Sequence, residues 1–139
     1  MKDRKVLLVE DTLSDELLIL RALRQSSVVT SVDIARDGEE AVDYLIGNTS
    51  VEAPALVLLD IKLPKLDGHQ VLSRIRAHEA TSQLPVVVLS SSDEPRDIAQ
   101  AYDAGANSYI VKPLDPRDLN HTVSRLGDYW LAINTPVNG

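Results

Sequence analysis

Glu10, Asp11, Asp60, Ser90 and Lys112 are the residues of this chain whose types could combine into one chemistry. Three carboxylates brought close together repel one another and resist full ionisation at neutral pH unless a hard divalent cation neutralises them. Oxygen donors without His or Cys suit Mg²⁺, Mn²⁺ or Ca²⁺ rather than zinc, and Mg²⁺, which uses one or two carboxylates, waters and a phosphate oxygen, is the natural occupant. A carboxylate left free beside the ion, here Asp60, can attack phosphorus and carry an aspartyl phosphate. The ammonium of Lys112 and the hydroxyl of Ser90 would then hold phosphoryl oxygens and stabilise the charge that moves during transfer. Taken singly, each has a plainer use: the acids as turn formers or helix caps, Ser90 as a loop hydroxyl, Lys112 as a solvated charge. The argument for a site is positional, because all of them follow short apolar runs.

Those runs are the elements that must position them. Leu56-Val57-Leu58-Leu59 before Asp60, Val6-Leu7-Leu8-Val9 before Glu10 and Val86-Val87-Val88-Leu89 before Ser90 read as strands buried on both faces, and Ser108-Tyr109-Ile110-Val111 before Lys112 reads as a further strand. Val32-Asp33-Ile34-Ala35 alternates and suits an outer strand. Between them lie helical stretches. Ser14 is placed to cap a first helix with Leu17, Leu20 and Leu23 on its apolar face and Asp15 and Glu16 in its first turn. Asp37-Gly38 turns the chain into a short helix over 39–46, stopped by Gly47-Asn48. A third helix uses Val71, Leu72 and Ile75, a fourth starts at Pro95 and ends at Gly105, and Asp115-Pro116 opens a fifth. Five strands alternating with five helices predict an α/β fold, doubly wound and flavodoxin-like, with a parallel sheet in the order 2-1-3-4-5. In that order the ends of strands one and three meet at the topological switch point, bringing Glu10, Asp11 and Asp60 together with Ser90 and Lys112 on the next strands outward.

Composition excludes several other functions. The 139 residues suit one domain; 44 % hydrophobic and 25 % charged residues are ordinary for a globule, and no apolar run is long enough to cross a membrane. Met1-Lys2-Asp3-Arg4-Lys5 leads straight into a strand rather than a signal sequence, and zero cysteines remove disulfides and thiolate metal sites, so a cytoplasmic setting is expected. A net charge of −7 and a pI near 4.8 argue against nucleic acid as the main partner.

The residues resemble the receiver domains of two-component response regulators over nearly the whole chain. Glu10-Asp11 is similar to the acidic metal-binding pair, and Asp60 within Leu59-Asp60-Ile61-Lys62-Leu63-Pro64, followed by Asp67-Gly68, to the phosphoacceptor motif. Ser90 resembles the switch hydroxyl and Lys112-Pro113 the lysine with its proline. The resemblance implies a phosphoacceptor that catalyses its own phosphorylation and dephosphorylation, taking the phosphoryl group from a histidine kinase. It implies that the backbone carbonyl of Lys62 completes the metal site and that Tyr109 is the switch aromatic, reshaping the face of helix 4, strand 5 and helix 5. It also implies a cis Lys112-Pro113 bond, and makes Lys62 and Ser92 the positions that tune phosphate lifetime.

Residues 1–127 are read as the receiver domain and 128–139 as an extension that acts as an interaction element. Leu119, Val123, Leu126, Trp130 and Ile133 recur at spacings of four and three, an a/d-like seam along a long last helix. The inner three are assigned to the core and Trp130, Leu131 and Ile133 beyond it, where they predict a homodimer through the fifth helix and its extension. Asp128-Tyr129-Trp130-Leu131 resembles the tail of the single-domain regulators that partner bacterial phytochrome kinases. Two rivals are a phosphorylation-independent binding module on the same fold and a haloacid-dehalogenase-like phosphatase; the latter needs a second Asp two residues after the nucleophile, where this chain has Lys62.

Overall fold

The computed structural model describes residues 4–29, 31–47 and 52–137. Five strands, β1 (Lys5–Val9), β2 (Ser31–Ala35), β3 (Leu56–Leu59), β4 (Val86–Ser90) and β5 (Ser108–Val111), form one sheet in the order β2-β1-β3-β4-β5, every pair parallel. The helices are α1 (Leu13–Gln25), α2 (Gly38–Val42), α3 (Gly68–Ala77), α4 (Pro95–Ala104) and α5 (Pro116–Asp128). The expected doubly wound, flavodoxin-like architecture is therefore present.

Alternation along the strands divides the interior into two layers. Leu7, Val9, Val57, Leu59, Val86 and Val88 face one way and bury Ala41, Val71, Leu72, Ile75 and Ala101 from α2, α3 and α4. Val6, Leu8, Leu56, Leu58, Val87 and Leu89 face the other way against Ile19, Ala22 and Leu23 of α1 and Leu119, Val123 and Leu126 of α5. Central parallel strands need apolar residues at every position because helices cover both faces. Edge strand β2 is less buried, as its alternating pattern predicts.

Several local expectations shift. Thr12 rather than Ser14 occupies the N-cap of α1; it makes no side-chain cap bond, and its own N–H donates to Glu10 Oε2 at 3.2 Å. The buried face of α1 is Ile19, Ala22 and Leu23, while Leu17 is exposed. Asp37 does not simply turn the chain: it caps α2, accepting from Glu40 N–H at 2.7 Å. The second helix then widens into a π turn over Asp43–Gly47; Asn48 lies outside the described residues. The Lys112–Pro113 bond is trans, since no described peptide bond is cis, and trans is the isomer X–Pro bonds favour by about 0.5–1 kcal/mol.

Two glycines matter to the site's frame. At Gly68 a Cβ would lie 2.6 Å from both Asp60 O and Ile61 Cα, so only glycine lets the start of α3 press against the end of β3. Gly105 ends α4 at φ +113°, a left-handed conformation that favours glycine.

The first residues of the C-terminal extension pack onto the domain. After α5 the chain makes a π turn over Tyr129–Ile133, and Leu131, expected beyond the core, is 9 % exposed and joins the α1/α5 layer with Trp130 partly buried against it. Ser26 Oγ donates to Asp128 Oδ1 at 2.9 Å, tying the end of α1 to the end of α5. The physical reason is that Leu23 and Val29 already flank Gly127 on the inner side of α5, and Leu131, four residues further on, returns to that side and packs into the same cluster. Ile133 remains 69 % exposed. Leu131→Ala should lower stability by about 2–3 kcal/mol and Ile133→Ala by no more than about 0.5 kcal/mol, measured by urea denaturation.

Candidate functional site

Parallel pairing places the carboxyl ends of β1, β3, β4 and β5 on one rim. Val9 pairs with Leu59, Leu59 with Val88, and Ser90 with Val111, so the residues that follow β1, β3 and β5 emerge side by side. Backbone bonds hold them there: Asp60 N–H donates to Val9 O at 3.1 Å, Glu10 N–H to Ala35 O at 3.0 Å, and Lys112 N–H to Ser90 O at 2.7 Å.

On this rim Lys112 is the centre. Its ammonium donates to Glu10 Oε1 at 2.6 Å, Asp15 Oδ2 at 2.9 Å and Asp60 Oδ2 at 3.0 Å, which uses all three of its N–H bonds. Lys112, Glu10 and Asp60 are buried, Asp15 is partly open to solvent, and Asp11 is exposed. Asp60 Oδ1 accepts the Lys62 N–H at 3.2 Å, so the loop after β3 folds back over the carboxylate it follows. Burial alone would depress the Lys112 ammonium, but the hydrogen bond it donates to Glu10 and the charge of Asp60 outweigh it and hold the group above its ordinary value. Burial pushes the Glu10 carboxyl up to about 7, with the Asp60 charge adding to it and Lys112 opposing it.

Glu10, Asp11 and Asp60 each offer one carboxylate oxygen, and these oxygens lie within 4.8 Å of one another. An all-oxygen set of three acids, opposed by one ammonium, fits a hard divalent cation. Of these acids Asp11 borders a cleft of about 700 Å³, lined also by Lys62, Pro64, Arg96 and Asp97.

A second group of polar residues leads from the site to α4. Ser90 is fully buried, and its Oγ accepts the Ser92 N–H at 3.3 Å. Ser92 Oγ donates to Asp97 in the first turn of α4, and Asp97 pairs with the Lys62 ammonium at 3.5 Å. The Ser92 hydroxyl, with Lys62 behind it, holds the Asp97 carboxyl below its ordinary range. Tyr109 lies inward: its ring packs into the α2/α3/α4 layer and its hydroxyl donates to Ser92 O at 2.8 Å. Sequence spacing brought Glu10, Asp11, Asp60, Ser90 and Lys112 to one rim, but it did not find Asp15 or Asp97. Both read as ordinary acids in a first helical turn, and nothing in their spacing distinguishes them.

The fold and rim together define a protein class. A family model for the response regulator receiver domain matches residues 6–124, and the chain belongs to that family. The probable methanogenesis regulatory protein FilR2 of Methanothrix harundinacea is 43 % identical over 133 residues, covering 93 % of this chain and 84 % of that protein. Among solved structures, the phosphorylated cyanobacterial phytochrome response regulator RcpA superposes with a TM-score of 0.92 at 38 % identity, covering 97 % of this chain and 99 % of that one. The Mn²⁺-bound form of response regulator Rcp1, known from Synechocystis, gives 0.89 at 33 % identity, covering 96 % and 99 %. No described helix is long and apolar enough to cross a membrane.

The buried Glu10 carboxyl sets a pH dependence. Its folded value of about 7 lies above its ordinary 4.5, so the folded state binds the extra proton between those values, and stability must fall as pH rises through that window. Urea midpoints of the metal-free protein should decline from about pH 4.5 to 7, and Glu10→Gln should flatten the decline.

Proposed function

We propose that this chain is a single-domain response regulator that accepts a phosphoryl group on Asp60 with Mg²⁺ and signals through the face formed by α4, β5 and α5. The observation that carries this reading is the buried Lys112 ammonium shared by Asp60 and Glu10 at the switch point of the sheet.

The donor is the phosphohistidine of a sensor histidine kinase. An Asp60 carboxylate oxygen attacks phosphorus, the P–O bond forms as the P–N bond breaks, and the leaving imidazole keeps the electron pair and takes a proton. Lys112 turns its N–H from Asp60 Oδ2 to a phosphoryl oxygen, which costs little reorganisation because the two are already in contact. Ser90, at the end of β4, offers its hydroxyl to a second phosphoryl oxygen. Glu10, Asp11, Asp60 and the backbone carbonyl of Lys62 hold Mg²⁺, which supplies charge neutralisation between the acids and the incoming phosphate. Asp60 is in turn the phosphoacceptor and a metal ligand.

The readout follows from the polar chain through Ser92. A shift of Ser90 toward the phosphate pulls on the Ser92 N–H it accepts, and Ser92 bonds both Asp97 at the start of α4 and the Tyr109 hydroxyl on β5. Tyr109 is the switch aromatic on this reading, and Lys62 and Ser92 set the phosphate lifetime. Likeness to phytochrome response regulators supports a phytochrome-type kinase as the partner; the net charge of −7 speaks against nucleic acid as a partner, and the proposed setting is the cytoplasm. Residues 1–127 form the receiver, and the extension over 128–139 serves as the interaction element. It joins two copies across the exposed sides of Tyr129 and Ile133 beside α5.

Incubation with acetyl phosphate and Mg²⁺ should give a phosphate adduct by intact mass on the wild type and none on Asp60→Asn. An adduct of equal extent on both proteins overturns the reading. Solution scattering at high concentration should report a dimer, and a monodisperse monomer with or without phosphorylation removes the dimer.

A further inference from the structure

Lys112 must change partners during the proposed reaction, and its three bonds are not alike in that respect. Asp60 becomes the phosphorylated residue, and Glu10 belongs to the carboxylate group that fits the cation. The third partner, Asp15, is outside that group and stands in the first turn of α1 with its Oδ2 at 2.9 Å from the ammonium. Its side chain is 32 % exposed, against 7 % for Lys112, so it approaches from the solvent side of the rim.

The mounting of Asp15 is rigid. Ile19, Ala22 and Leu23 bury α1 against the sheet, and Glu16, the next residue, takes a two-pronged bond from Arg36 at 2.9 and 3.2 Å. The backbone of Lys112 is fixed separately by its bond to Ser90 O at 2.7 Å. What is left free is a four-carbon stem whose head could point several ways, because a lysine stem has many rotamers open to it.

We propose that Asp15 is a positioning residue for phosphoryl transfer: it holds one N–H of Lys112 throughout, so that the other two stay aimed at Glu10 and at the oxygen arriving on Asp60. This rests on the reading of Asp60 as phosphoacceptor and Lys112 as its clamp. A plainer role, an acid favoured at the positive end of α1, would affect helix stability but would not depend on Lys112.

That difference supplies the test. Phosphorylation by acetyl phosphate with saturating Mg²⁺ is followed by intact mass on the wild type, Asp15→Ala, Asp15→Asn, Lys112→Ala and the Asp15→Ala/Lys112→Ala double variant. Asp15→Ala should slow the reaction about tenfold, while Asp15→Asn, which keeps the shape and one acceptor oxygen, should stay within about threefold of wild type. In the Lys112→Ala background, Asp15→Ala should change the rate by less than about twofold, because the group it positions is gone. A wild-type rate in Asp15→Ala overturns the proposal, and so does a full tenfold loss that persists without Lys112. No adduct on the wild type, or an equal adduct on Asp60→Asn, instead removes the phosphoacceptor reading beneath it.

Discussion

The ammonium of Lys112 amid carboxylates is the interaction on which the rim of this molecule depends. Glu10, Asp60 and Asp15 converge on one point, and without a cation between them the first two could not sit side by side in a buried place. A buried ion pair is weak evidence for stability, because removing two charges from water costs several kcal/mol per ion. On the proposed reading its use is functional: the ammonium that neutralises the acids would also be the donor beside a phosphoryl group carried on Asp60. Burial of Glu10, which raises its carboxyl to about 7, shows how poorly the site tolerates another uncompensated negative charge. An acidic group so placed favours a divalent cation.

The sheet makes this convergence possible. In a doubly wound sheet the crossovers leave β1 in opposite senses, so the loops after β1 and β3 diverge and leave a crevice at their carboxyl ends. The central strands β1, β3 and β4 are short and almost wholly buried, so polar side chains gather at or just past the strand ends. Glu10, Asp60 and Lys112 occupy those positions, and Gly68 allows α3 to start close beside Asp60.

Two features connect this rim to the rest of the molecule. Ser92 bonds Asp97 and receives the Tyr109 hydroxyl, so the loop after β4, the start of α4 and the exposed edge of β5 share one set of hydrogen bonds. On the far side, the turn over Tyr129–Ile133 packs Leu131 under the domain and leaves Tyr129 stacked edge-on with Trp130, their centroids 5.3 Å apart. The extension is therefore anchored by one apolar side chain while it presents others.

The sequence by itself determined the strands, their burial and the acids that follow them, because continuous apolar runs and the punctuation of Pro and Gly are local signals. It also determined that five polar residues reach one rim, since alternating strands and helices imply a parallel sheet, whose carboxyl ends all lie along one edge. Helix starts were less legible: Thr12 displaces Ser14 because Glu10, turned inward, takes the Thr12 N–H. Only the tertiary structure decided that Asp15 touches Lys112, that Asp97 joins Ser92 to Lys62, and that Leu131 belongs to the core. Those contacts depend on how helices lie against a sheet, and Asp15 and Lys112 stand 97 residues apart, beyond the reach of any local pattern.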